Sequence, residues 1–345
     1  MQRRDFLKYS SAFLAGTSMA FANTQNIFAP AVLKPRRLEH GQTIGLINPA
    51  GVLFEQADVE MAKEAITSLG FKVKEGNHLF DRYGYLGGRD EDRVKDLNAM
   101  FADPEVDALI AVRGGWGCNR LLHMVDYRVI RRNPKILVGY SDITSLLLAL
   151  NARTGLVTFH GPLGISTWNG YSTEYFTRLL MDAEALTLSN HREMRPGNGR
   201  EVDEILSINA GQSRGRLFGG NLAVLTSMIG SRFLPDFRDA ILFVEEVGEE
   251  PYRVDRMLTQ LKLAGILDSL SGFIFGKCTR CEPEAPDASL SLAEVLNDHI
   301  KPLGIPAWYG AMIGHISDKF TMPLGIRAEI DGGTGEIQLL ESAVV

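Results

Sequence analysis

Residues 135–150 read Lys135-Ile-Leu-Val-Gly-Tyr-Ser-Asp-Ile-Thr-Ser-Leu-Leu-Leu-Ala-Leu150. A continuous apolar run ends at Gly139, turns through Tyr140-Ser141-Asp142, and resumes as an apolar helix over 142–152. A buried strand that feeds directly into a helix presents the residue at its apex, here Ser141. This is the geometry of a nucleophile elbow. The amides of the following helix start point back at the same spot, where they stabilise developing negative charge. The usual elbow reads Gly-x-Ser-x-Gly, and Ile143 stands in place of its last glycine. The plain alternative is a helix N-cap by Ser141 or Asp142. This stretch alone leaves both readings open.

Working outward, the same alternation recurs. Thr43 to Ile47 is a short apolar strand stopped by Asn48-Pro49-Ala50-Gly51. Residues 56–69 carry helical spacing at Val59, Ala62, Ile66 and Leu69 and end at Gly70. Phe71 to Val73 reads as a strand, 90–101 as a helix, and Ala108 to Val112 as a strand ending in Arg113-Gly114-Gly115. Alternating strands and helices predict an α/β fold, with a mostly parallel N-terminal sheet flanked by helices. Residues 166–205 are weaker in pattern and read as a connecting region. A second, mixed α/β unit follows. Leu217 to Asn221 leads into an apolar helix through Met228, strands follow at Ala240 to Val244 and Gly272 to Phe275, and further helices at 251–264 and 291–301. A hairpin over 326–340 turns at Gly332-Gly333. The expected division is therefore a nucleophile unit at 41–165 and a C-terminal unit at 206–345.

A serine hydroxyl needs a base, normally a histidine oriented by a carboxylate. Seven histidines compete. His40 lies in an irregular stretch, and His123 and His299 fall in helical patterns. His160 ends a strand near the elbow's sheet edge, and His315 ends an apolar run beside Gly314. Pattern alone favours these two about equally. The carboxylate is also open, because Glu245 and Glu246 both end the strand Ile241 to Val244, where α/β enzymes place catalytic groups.

Across residues 42–340 the chain resembles the LD-carboxypeptidase family, the muramoyltetrapeptide carboxypeptidases, which also includes the microcin C self-immunity peptidases. The resemblance runs in order through Tyr85-Leu-Gly-Gly-Arg-Asp-Glu-Asp-Arg93, Asp96-Leu-Asn98, Arg113-Gly-Gly-Trp-Gly117 and Gly139-Tyr-Ser-Asp142. It continues through Gly219-Gly-Asn-Leu222, Glu245-Glu246 ahead of Pro251-Tyr-Arg-Val-Asp-Arg-Met-Leu258, and Gly314-His315 ahead of Pro323-Leu-Gly325. It implies a serine peptidase that releases the terminal D-alanine of peptidoglycan stem peptides or muropeptides. Its triad would be Ser141 as nucleophile, Glu245 as acid and His315 as base. An oxyanion hole from the amides of Gly115 and Asp142 is implied as well. No metal or organic cofactor is implied, and a homodimer is. The family commonly has Tyr where Trp116 stands, Ser at Ala50 and Asp at Glu246. Trp116 is thus a substrate-mouth candidate. Arg113 is a candidate partner for the substrate carboxylate, as is Arg253, and either reads equally as a structural ion pair.

The 345-residue chain carries 36 basic and 42 acidic side chains, a net of −6, with 45% apolar residues. That balance is ordinary for a globular protein and offers no basic stripe for nucleic acid. Residues 1–22 pair Arg3-Arg4 with Phe6-Leu7-Lys8, a short apolar stretch, and Ala20-Phe21-Ala22. They resemble a twin-arginine signal peptide, and 23–40 read as the linker behind it. The expected partner is the twin-arginine translocation machinery and the expected location the periplasm. No other apolar run is long enough to span a bilayer, so a soluble mature protein is expected. Cys118 stands near Gly117 and is a weak rival nucleophile. Cys278 and Cys281 read first as incidental thiols, then as a disulfide, and last as half a metal site. The export reading has a direct check. The double change Arg3→Lys with Arg4→Lys leaves unprocessed precursor in the cytoplasm, seen by fractionation and immunoblot. Unchanged processing and export would refute it.

Overall fold

The computed structural model describes residues 30–191 and 203–345. The expected signal peptide, the first part of the linker and residues 192–202 of the expected connecting region lie outside the described residues. The five parallel strands that build the first sheet are β1 (Thr43–Ile47), β2 (Lys72–Glu75), β3 (Ala108–Ala111), β4 (Ile136–Gly139) and β5 (Thr158–His160). Every residue of β3 and β4 is buried, as expected for a parallel sheet covered on both faces.

Among the helices, α1 (Gln56–Ser68) buries Val59, Ala62 and Ile66, the residues whose spacing predicts it. Helix α2 (Asp90–Ala102) buries Val94, Leu97 and Phe101 on one face. Helix α3 (Tyr127–Arg132) is short and N-capped by Asp126. Helix α4 (Thr144–Thr154) follows the elbow and is buried along nearly its whole length. Apolar residues all round, such as Leu146 to Leu150, suit a helix at the centre of a molecule rather than on its surface.

Residues 166–191 are more regular than the sequence reading expects. Helix α5 (Gly170–Leu180) is capped by Asn169, whose side chain accepts from the Ser172 amide. Its buried residues Ser172, Tyr175, Phe176, Leu179 and Leu180 follow helical spacing. The described end of the linker is irregular yet anchored. The Leu33 amide donates to Gly155 O, and the Leu38 amide donates to Leu180 O.

The second sheet contains β6 (Thr187–Leu188), β7 (Leu206–Asn209), β8 (Gln212–Asn221), β9 (Ile241–Val247), β10 (Gly272–Thr279) and β11 (Ala307–Ala311). The strand β12 (Met322–Leu324) comes next, followed by β13 (Arg327–Asp331) and β14 (Glu336–Leu339), which form the expected hairpin. The order across this sheet is β6-β14-β13-β8-β9-β10-β11-β7. Strands β8 to β11 run parallel, and the flanking strands run antiparallel. Helices α6 (Leu222–Ser227), α7 (Pro251–Leu263) and α8 (Leu292–His299) complete this unit. Pro251 opens α7, and Ser291 with Glu294 forms a reciprocal capping box on α8.

The two units interlock. Strand β12 leaves the C-terminal unit and pairs antiparallel with β5, closing one edge of the first sheet. At the other crossing, the Asn221 amide at the end of β8 donates to Oγ1 of Thr144, the first residue of α4. Gly220 sits at φ +139°, and a Cβ there would lie 2.5 Å from Thr144 Oγ1 and Cγ2. The close approach of strand to helix therefore requires glycine. Gly220→Ala combines left-handed backbone strain with a collision in the seam, costing about 2–4 kcal/mol. Guanidinium unfolding of the variant is expected to show a clearly lower midpoint. A midpoint equal to the parent's would contradict this account.

Candidate active site

Strand β4 ends at Gly139, and Ser141 begins the 3-10 turn Ser141–Ile143 that runs into α4. Ser141 adopts φ +63°, the left-handed region that a residue with a Cβ rarely enters. Strain at the apex of a strand-to-helix turn is the mark of an elbow rather than of a plain N-cap. The N-cap of the turn is Tyr140, which makes no side-chain cap bond, and Ser141 is the turn's first residue. The Asp142 amide, one residue into the turn, has no intrahelical acceptor.

The loop after β3 lies directly against the elbow. A Cβ on Gly114 would fall 2.9 Å from Ser141 Cβ and 3.0 Å from its Oγ, so the backbone at Gly114 borders the hydroxyl, while Gly115 lies against Gly51. Buried side chains hold this loop. Asp142 Oδ2 accepts from the Cys118 amide at 2.8 Å. Cys118 Sγ and Arg93 Nη1 both donate to the carbonyl of Pro49. The motif residue Arg93 is thus a buried brace beneath the loop. Cys118 is fully buried, and burial pushes its thiol well up, with the Asp142 charge adding to the effect. That leaves it unsuited to nucleophilic work.

Strand β9 delivers Glu245, which has no exposed surface. Its Oε2 lies 2.8 Å from Nδ1 of His315, in the turn after β11. His315 is partly exposed and packs edge-on against Tyr140, with ring centroids 4.9 Å apart. Tyr140 immediately precedes Ser141, so the Glu–His pair packs against the elbow through Tyr140. Thr279 Oγ1 donates to the His315 carbonyl and fixes the backbone there. Burial opposes the Glu245 charge, yet the two histidines around it outweigh burial and hold its carboxyl down at about 2. The His315 contact is the firm part of that balance. The His160 contact, Nε2 to Oε1 at 3.7 Å, is longer than a hydrogen bond.

Of the other histidines, His78 pairs with Asp96, His191 with Asp318 and His299 with Asp255. The structure thus singles out His315 and His160 around one carboxylate, and only His315 bonds it directly.

A cleft of about 490 Å³ opens over Ser141. Its lining includes Gly115, Trp116, Asp142, Asn221, Glu246 and Glu249. Trp116 is 72% exposed and stands at the mouth. Arg113 is not in that lining. Its Nη1 donates to Val52 O at 2.6 Å and its guanidinium lies 5.6 Å from the Phe54 ring centre, so it braces a neighbouring turn. Arg253 bonds Tyr252 and pairs with Glu249 on the surface. The cation in the lining is Arg120, held by Asp90, and no local sequence signal marks it. Cys278 and Cys281 form a disulfide, which overturns the first-ranked reading of them as free thiols. Their positions at the end of β10, three residues apart across a turn, bring the sulfurs together.

Two further buried groups lie near the site: Lys319, which no sequence signal marks, and Glu246, the other carboxylate candidate of the strand end. Lys319 Nζ lies 5.5 Å from the Tyr140 ring centre and donates to Ser317 O. Burial pulls its ammonium down to about 8. Glu246 accepts from Asn221 Nδ2 and from the amides of Ala223 and Val247.

Residues 44–161 match the LD-carboxypeptidase N-terminal domain, and residues 214–330 match the LD-carboxypeptidase C-terminal domain. A probable murein peptide carboxypeptidase of Bacillus subtilis is 39% identical over 302 residues, covering 86% of this chain and 91% of that protein. The chain belongs to the LD-carboxypeptidase family. Among solved structures, the muramoyltetrapeptide carboxypeptidase of Oxalobacter formigenes superposes with a TM-score of 0.74 at 29% identity, covering 86% of this chain and 98% of that one. The apo microcin C7 self-immunity protein superposes at 0.82 with 27% identity, covering 91% of this chain and 100% of that one. The two-unit α/β architecture is therefore that of the LD-carboxypeptidases.

Burial pushes Glu246 up to about 7 from an ordinary value of 4.5, and the neighbouring Glu245 charge adds to it. Between those values the folded protein holds a proton that the unfolded chain has released. Glu246 therefore lowers stability as pH rises through that window, and its effect levels off above it. Glu245, with its lowered value, acts only at more acidic pH and in the opposite direction. Thermal melts from pH 5 to 8 are expected to show a smaller fall in midpoint for Glu246→Gln than for the parent. Parallel profiles would show that Glu246 does not titrate there.

Proposed function

We propose that this chain is an exported serine LD-carboxypeptidase. It hydrolyses the amide between the diamino acid and the terminal D-alanine of murein tetrapeptides. The observation that carries the reading is the buried Glu245 oxygen bonded to His315 Nδ1, beside a serine held in an elbow turn.

The chemistry follows from that arrangement. Ser141 Oγ attacks the scissile carbonyl, and Nε2 of His315 takes the hydroxyl proton. Glu245 holds the imidazole in the tautomer with its proton on Nδ1 and stabilises the cation that forms. The amides of Gly115 and Asp142 receive the oxyanion of the tetrahedral intermediate. Collapse breaks the C–N bond, and His315 returns the proton to the amine of the departing D-alanine. A water molecule then adds to the acyl-enzyme with His315 again acting as base. This releases the tripeptide and regenerates the hydroxyl. Trp116 at the cleft mouth offers a flat apolar face to the substrate.

The twin-arginine pattern at Arg3-Arg4 supports an exported enzyme acting on wall-facing substrate. A homodimer is part of the same proposal. A second reading, a peptidase on acylated peptide-nucleotides, draws on the likeness to the self-immunity protein. Purified disaccharide tetrapeptide distinguishes the two readings. Release of D-alanine, followed by mass analysis of the muropeptides, is expected. Ser141→Ala should lose activity about 10³-fold or more, and Glu245→Gln about 10²- to 10⁴-fold, with substrate still bound. Saturable binding without release, unchanged by Ser141→Ala, would instead identify a wall-peptide binding module.

A further inference from the structure

Glu245 has two oxygens, and the triad uses one of them. The other, Oε1, is buried and makes no hydrogen bond among the described residues. Facing it at 3.7 Å is Nε2 of His160, itself buried and likewise without a hydrogen-bond partner among the described residues. His160 is 2% exposed. Its ring is held edge-on by Phe243 at 5.7 Å and tilted against Tyr140 at 5.9 Å. A carboxylate without exposed surface cannot recruit bulk water, so its orientation depends on the groups that surround it.

We infer that His160 is a positioning residue: it faces the second oxygen of Glu245, so that the carboxylate is shared between two imidazoles and held in line with His315. The inference rests on the proposed serine-peptidase reading and deepens it. His160 belongs to β5, where it lies in register with Gly139 on β4, two residues before Ser141. Glu245 and His315 belong to the C-terminal unit. His160 thus ties the acid's position to the strand that carries the nucleophile.

The charged and titratable groups around this contact are few. Glu245 and Glu246 come from β9, His315 from the turn after β11, Tyr140 from the end of β4, and Asp318 and Lys319 from the segment before β12. Lys319 lies on Tyr140, and Asp318 is engaged by Asn169 and His191. With one imidazole near each oxygen, the carboxylate charge is divided. Removing His160 leaves the whole charge to His315, which favours its cation and moves its titration to higher pH. It also frees the carboxylate to rotate, which lowers the rate.

The test compares His160→Phe, which keeps a ring and removes the N–H, with His160→Gln, which keeps a donor at that reach. NMR titration of the His315 imidazole in the free enzyme needs no substrate. A rise of about half a unit or more in the Phe variant is expected, and little change in the Gln variant. On disaccharide tetrapeptide, kcat is expected to fall about tenfold or more in the Phe variant with KM nearly unchanged, and to be largely retained in the Gln variant. An unmoved His315 titration in a folded Phe variant overturns the inference, whatever the activity. Equal loss of kcat in both variants also overturns it, because only packing would then be at stake. If the Phe variant does not fold, His160→Asn replaces it, with the amide drawn back by one methylene. The same shift and loss are then expected, and behaviour identical to the Gln variant overturns the idea. Ser141→Ala on the same substrate separates the two claims. Full activity there sinks the peptidase reading and leaves the NMR result to decide on His160.

Discussion

A negative charge sealed away from water organises this molecule. Desolvating a carboxylate costs several kcal/mol unless neighbours compensate. Glu245 has no exposed surface, so the chain must bring compensation to it. It does so from two directions, with His315 from the turn after β11 and His160 from the end of β5. Tyr140 packs against both imidazoles and against the buried ammonium of Lys319. The residue after Tyr140 is Ser141. The same packing that makes the buried charge tolerable therefore sets the His315 imidazole against the residue that precedes the proposed nucleophile.

The proposed nucleophile and the proposed base are positioned by different means. Ser141 is placed by backbone, through a left-handed turn wedged between β4 and a helix buried along nearly its whole length, with the glycine loop after β3 against it. His315 is placed by side-chain bonds and by the Thr279 hydroxyl on its carbonyl. The first arrangement is rigid because it is strained and over-determined. The bonds of the second all lie within the C-terminal unit, so its place against the elbow depends on the seam between the two sheets. That seam is itself polar and specific, since the Asn221 amide meets Thr144 Oγ1 where β8 approaches α4.

The strands around the elbow were readable in the sequence because a parallel strand buried on both faces leaves a continuous apolar run, as in Ile136 to Val138. Ser141 was readable because strand, turn and helix are contiguous. What pattern alone did not decide was the choice between His160 and His315. His160 ends β5 and His315 follows β11, and both converge on the same carboxylate, so the ambiguity has a physical basis. The resemblance favoured His315, and the structure gives it the direct bond. Helix α5 was passed over although Tyr175, Phe176, Leu179 and Leu180 carry its period, because charged and irregular residues dominate the stretch behind it. Strand β12 is three residues long, too short for any periodicity to register. The bond of Arg113 to Val52 O and the burial of Lys319 depend on neighbours distant in sequence, which no local reading supplies.

The loan of β12 has a temporal side. The first sheet lies entirely within the opening half of the chain except for this strand, whose residues are made almost last. Until Met322 to Leu324 emerge from the ribosome, the outer edge of β5 has no partner, and His160 sits on that edge. The turn carrying His315 is also late to appear. Closure of that edge is therefore an event at the close of synthesis, and on the proposed reading an unfinished chain holds its serine without a base.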